Sequence, residues 1–114
     1  MTIRPGEVAL DLGGKAVTLR PTLKAIRALS RRNGGLNGVM QSLTQQDFDT
    51  YVSVVVVGTG AEGPAAKELE EDVYRAGLLN IAHDLIKFVV IVSNGGKPVD
   101  EGGGQQEGFD PNGG

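Results

Sequence analysis

The residues best placed by type and spacing to do chemistry lie between Val52 and Gly63, where VSVVVVGTGAEG carries a literal GxGxxG at Gly58, Gly60 and Gly63. After a strand and before a helix, such glycines let backbone amides close on a pyrophosphate at the helix N-terminus, and an acidic residue about twenty positions on holds the ribose. The flanks argue against that use here. Glu62 would set a carboxylate beside bound phosphate, Pro64 removes an amide donor, and the position twenty residues on falls near His83-Asp84, inside an amphipathic helical pattern. No second parallel strand follows to complete a βαβ unit. A small nucleotide-binding domain using Gly58–Gly63 therefore stands last among the functional readings.

The remaining constellations are weaker. His83 is the only histidine, and its neighbour Asp84 points elsewhere on a helix, because adjacent residues do not share a face. Glu68, Glu70, Glu71 and Asp72 form an acidic run, but they fall in the opening turns of a helical segment, where negative charge complements the dipole without any metal. Lys24, Arg27 and Arg31 stand at i, i+3 and i+7 and form a basic strip that reads first as a solvated face. The absence of cysteine excludes disulfides, thiolate zinc sites and a cysteine nucleophile. No catalytic, cofactor-binding or metal site is expected.

Composition narrows the class further. A chain of 114 residues has room for one domain with a modest core, and with only 4% aromatics that core is built from Val, Leu, Ile and Ala. Ser93–Gly114 sets Lys97 against Asp100, Glu101, Glu107 and Asp110, so this tail holds the whole net charge of −3 and the body is neutral. A neutral body offers no general attraction to a nucleic-acid backbone or an anionic membrane. Neither a signal-peptide pattern nor an apolar run of spanning length is present. The chain reads as soluble and cytoplasmic.

The elements are legible from local pattern. A two-residue turn at Gly13-Gly14 pairs Leu12 with Lys15, Leu10 with Val17, Val8 with Leu19 and Glu7 with Arg20; Val8, Leu10, Val17 and Leu19 then share one face. Pro21 and Thr22 open a helix with Leu23, Ile26 and Leu29 inward, ended by Asn33-Gly34. A second helix runs from Leu36 with Val39, Met40 and Leu43 on one face, weakened by Gly38. Thr44 with Asp47 resembles a capping box opening a third helix, with Phe48, Tyr51, Val52 and Val55 inward and Gly58 as its stop. The valines of Val52–Val57 favour a strand by propensity, but the polar first turn and the 3.6-residue spacing favour a helix. Ala65–Ala76 forms a polar helix with Leu69 and Val73 inward, and Leu78–Ser93 the last helix.

Between Leu85 and Val92 the only polar side chain is Lys87, so this helix is apolar nearly all round and something must cover it. The centre of the bundle, a second copy or a partner would each cover it. The glycine-rich tail has too few apolar side chains to offset its own ordering entropy and is expected to be disordered from about Gly95. The expected fold is α+β and mostly α: an N-terminal β-hairpin, four to five short helices in a single domain over 1–94, and a disordered acidic tail over 95–114.

The stretch GEVALDLGGKAVTLRPTLKAIRALSRRNGGLNGVMQSL resembles the start of small proteins of tailed phages and gene transfer agents known as tail assembly chaperones, also described as tail tube proteins. The likeness spans about Gly6 to Gly95 and consists of the Gly-Glu-Val strand, the Gly-Gly turn, Thr-Leu-Arg, the TLKAIRAL helix, a Gly-Leu break and the apolar last helix. It implies a non-enzymatic protein of the bacterial host cytoplasm that binds the tape-measure protein, keeps its long helices soluble and helps recruit tail tube subunits. Groove binding of a helix is the mode that suits it, with Leu85, Phe88, Val89 and Val92 as the candidate partner contacts. A structural tail tube or neck component is the alternative. The chain departs from the family in its valine-rich third helix and its longer tail, which suggests a flexible extension of the kind that readthrough or frameshifting adds to some phage chaperones.

Overall fold

Opposed strand and turn preferences are absent from the N-terminal hairpin, which forms in the register its side chains dictate. The computed structural model describes residues 4–98. Strand β1 (Val8–Asp11) pairs antiparallel with β2 (Ala16–Leu19), Val8 opposite Leu19 and Leu10 opposite Val17. Gly13 and Gly14 take φ of +67° and +101°, the left-handed pair a two-residue hairpin turn requires. The Leu12 amide donates to the Lys15 carbonyl at 2.8 Å, and the Glu7 carboxylate lies 3.4 Å from the Arg20 guanidinium. Val8, Leu10, Leu12 and Leu19 are buried and Val17 half-buried.

Five helices follow: α1 (Leu23–Ser30), α2 (Gly35–Thr44), α3 (Phe48–Thr59), α4 (Pro64–Ala76) and α5 (Leu78–Ser93). Thr22 caps α1, its hydroxyl accepting the Ala25 amide at 3.0 Å. Ala25 and Leu29 face the core, but Leu23, expected inward, is 68% exposed because it stands at the first helical position, beyond the reach of the core. The start of α3 also differs from expectation. Thr44 closes α2 and bonds back to the Met40 carbonyl at 3.0 Å, leaving Asp47 to cap α3 through the Thr50 amide.

The valine run is helical. Tyr51, Val54 and Val55 point into the core and Val52 is only half-buried. Gly58 does not stop α3, which continues to Thr59 and ends at Gly60 with φ +77°. Gly58 is instead a packing residue: a Cβ there would lie 2.8 Å from Leu19 Cδ2 and 3.2 Å from Phe88 Cε2. Its absence lets α3 press against β2 and α5.

Helix α5 runs through the middle of the molecule, packing against β1 and the other four helices. Its Ile81, Leu85, Phe88, Val89, Ile91 and Val92 join the hairpin leucines, α2, α3 and α4 in one core. Backbone contacts continue just past Gly95. Gly96 donates to the Ile91 carbonyl at 2.9 Å, and Gly6, with φ +89°, passes so close to the Gly96 carbonyl that no Cβ fits between them. The first and last described segments therefore lean on one another. The expected disorder of the tail from residue 99 onward lies outside the described residues.

Candidate functional site

Leu85, Phe88, Val89 and Val92 cannot be partner contacts in the folded chain. Their exposures are 0%, 0%, 1% and 3%. Other elements cover this face of the helix, while Leu79, His83 and Lys87 lie on its exposed side, so these four residues are core and the contact surface has to be sought elsewhere.

The GxGxxG segment is explained by local structure. Gly58 and Gly60 sit at the C-terminal end of α3, where free carbonyls and the negative end of the dipole repel phosphate. The Gly58 carbonyl accepts the Arg20 amide at 2.8 Å, and the Gly60 amide closes α3 on the Val56 carbonyl at 2.9 Å. Only Gly63 adjoins a helix N-terminus, and there Pro64 occupies the first turn. His83 is exposed on α5. Among the described residues no three His, Asp or Glu side chains converge as a metal-binding group would.

Two members of the acidic run share a partner far away in sequence. Lys15, at the end of the hairpin, reaches Asp72 at 2.8 Å and Glu68 at 3.5 Å, and Asp72 is the buried member with 9% exposure. The signal was present in the strand alternation, which puts Lys15 on the same face as Leu10 and Leu12 and so aims it at whatever packs there. The hydrogen bond to Asp72 raises the Lys15 pKa above 10.5. Burial likewise raises the Tyr51 phenol above 10.0, and its hydroxyl donates to the Leu43 carbonyl at 2.7 Å.

These two groups contribute to how the fold responds to alkali. A pKa raised on folding contributes stability fully below the unfolded value and loses it as pH rises through the folded one. Stability is therefore expected to be insensitive to these groups near neutrality and to fall above about pH 10. Tyr51→Phe and Lys15→Met should each flatten that fall in urea titrations at stepped pH. Tyr51→Phe should also cost about 1 kcal/mol at neutral pH, since the Leu43 carbonyl keeps its turn bond from Gln46. A slope identical in the parent and both variants would refute the assignment.

Among the described residues, apolar grooves lie along α1. On one side a groove of about 390 Å³ runs between Lys24 and Ala28 of α1 and Val56, Val57 and Ala61 at the end of α3. On the other a groove of about 280 Å³ lies between Leu23, Ile26, Val92 and Gly96. Leu23 stands exposed beside the second groove, and a shallow trough of about 390 Å³ continues past Arg27 and Arg31. The basic strip expected from spacing is thus real and borders apolar surface rather than open water alone. Lys24 faces Glu62 at 3.7 Å, both largely exposed, while Arg27 and Arg31 have no carboxylate within 4.0 Å among the described residues.

Arg32, next in sequence, has a structural role. Its guanidinium donates to Ser53 Oγ at 2.9 Å and Thr50 Oγ1 at 3.3 Å, tying the turn after α1 to α3. Among the described residues no helix is long and apolar enough to cross a membrane. Comparison with protein-family models, with curated proteins and with solved structures gave no match to this chain.

Proposed function

We propose that this is a non-enzymatic tail-morphogenesis protein of a phage or gene transfer agent, a tail assembly chaperone that holds helices of the tape-measure protein in the host cytoplasm and helps recruit tail tube subunits. The reading rests on the resemblance carried by Gly6–Gly95. The observation that supports it best is the α1 face, where exposed Leu23 and two apolar grooves lie beside Lys24, Arg27 and Arg31. An amphipathic helix with an apolar stripe and an acidic margin fits such a surface, its large side chains entering the grooves. The basic margin sets orientation and encounter rate, and the apolar contact supplies most of the affinity.

The test is co-expression with the tape-measure protein of the same tail gene cluster, followed by affinity capture. The parent chain should retain the tape-measure protein in soluble form. Leu23→Asp should lower its capture by about tenfold or more, as loss of an exposed anchor does, and leave the melting temperature unchanged because Leu23 is outside the core. Failure of the parent to capture the tape-measure protein would overturn the chaperone reading. Undiminished capture by Leu23→Asp would overturn the assignment of its surface.

A further inference from the structure

A second exposed stripe, on α4, is the chemical counterpart of the α1 face. Lys67, Glu70, Glu71 and Tyr74 stand at i, i+3, i+4 and i+7 and, with Phe48 of α3, line a shallow depression of about 420 Å³. Tyr74 is 74% exposed, so an aromatic ring stands free beside Glu70, Glu71 and Lys67 as Leu23, at 68%, stands free beside Lys24, Arg27 and Arg31. Glu70 has no cationic partner within 4.0 Å among the described residues, and Glu71 meets only Arg75 of its own helix at 3.6 Å. Neither stripe neutralises the other within one chain, since no ion pair joins them.

We propose that the α1 face of one copy docks on the α4 face of a second copy of this chain, Leu23 against Phe48 and Tyr74, and Arg27 and Arg31 against Glu70 and Glu71. Charge complementarity favours this pairing, because α1 against α1 would oppose Lys24, Arg27 and Arg31 to themselves, whereas the α4 stripe offers Glu70 and Glu71 against the single Lys67. Tyr74 adds a ring face on which an arginine stacks. The contact joins two unlike patches, so it either closes reciprocally in a pair or runs on head to tail. It stands on these two faces alone and is independent of the tape-measure reading. Where both hold, self-association and helix binding compete for α1.

The test uses the full chain by itself, in sedimentation velocity or light scattering over a concentration series at low and high salt. The parent should associate as concentration rises and dissociate in high salt, where the screening length shrinks. Arg27→Glu/Arg31→Glu and Glu70→Lys/Glu71→Lys should each weaken association by about tenfold or more. Equimolar mixing of the two should restore it, since each then meets a face of opposite sign. That rescue also shows that both variants are folded. A parent that stays monomeric into the millimolar range, or variants that associate as the parent does, would overturn the proposal. So would two weakened variants that fail to recover on mixing while retaining the parent's circular dichroism.

Discussion

Phe88→Ala is expected to cost about 3 to 5 kcal/mol of unfolding free energy, a large fraction of the roughly 5 to 15 kcal/mol available to a small domain. Phe88 is fully buried at the middle of the central helix, and its ring edge meets α3 where Gly58 leaves room for it. Truncation removes the ring's transfer free energy and leaves a cavity between two helices held by other contacts, which cannot close without moving α3 off β2. Urea unfolding followed by circular dichroism measures the loss. The result also separates two accounts of the apolar last helix: a partner contact at Phe88 would leave the isolated chain's stability intact and reduce only binding. A cost below about 1 kcal/mol would mean that the ring is not part of the core.

Gly38→Ala should destabilise the chain even though helix propensity predicts the opposite. Gly38 lies within α2, where alanine is favoured over glycine by about 1 kcal/mol in an exposed helix. A Cβ at Gly38, however, would meet the Asn33 carbonyl oxygen closer than real Cβ atoms approach any atom, with the Asn33 carbonyl carbon at 3.2 Å. That obstacle is backbone and cannot rotate away. The chain doubles back tightly there through Gly34 and Gly35, whose φ values are +86° and +63°. Accommodating a methyl group forces the turn away from α2, at about 1 to 3 kcal/mol, the usual cost of overpacking. The same urea titration reads the sign, and a stabilised Gly38→Ala would show that the turn yields freely. The glycine that local propensity marks as a weakness is what allows α1 and α2 to be joined by so short a turn.

Legibility followed the range of the interaction that decides each feature. The hairpin register could be read in full because facing side chains, turn glycines and the Glu7–Arg20 pair all act over a few residues and agree. The helical state of Val52–Val57 was also legible, since spacing outweighed β-propensity once the segment had a polar first turn and two apolar surfaces to meet. The cap of α3 was misplaced because Thr44 and Asp47 both carry suitable oxygens, and only the path of the preceding helix assigns one to each end. Gly58 was misread for the same reason: a glycine that stops a helix and one that admits a neighbouring side chain look identical in sequence.

The candidate surface divides similarly. The i, i+3, i+7 spacing of Lys24, Arg27 and Arg31 follows from helix geometry, and so does the α4 stripe that carries Tyr74. Burial does not follow. Leu23 and Leu85 are both leucines on apolar helix faces, yet one is 68% exposed and the other fully buried. By itself the sequence determined the hairpin and its register, four to five short helices and the basic strip on α1, because each depends on side chains within a few residues. The tertiary structure alone decided which apolar surface was left over, because burial is settled by which elements pack together. It buried the Leu85, Phe88, Val89 and Val92 face of α5, left the grooves of α1 open, and joined Lys15 to an aspartate 57 positions away.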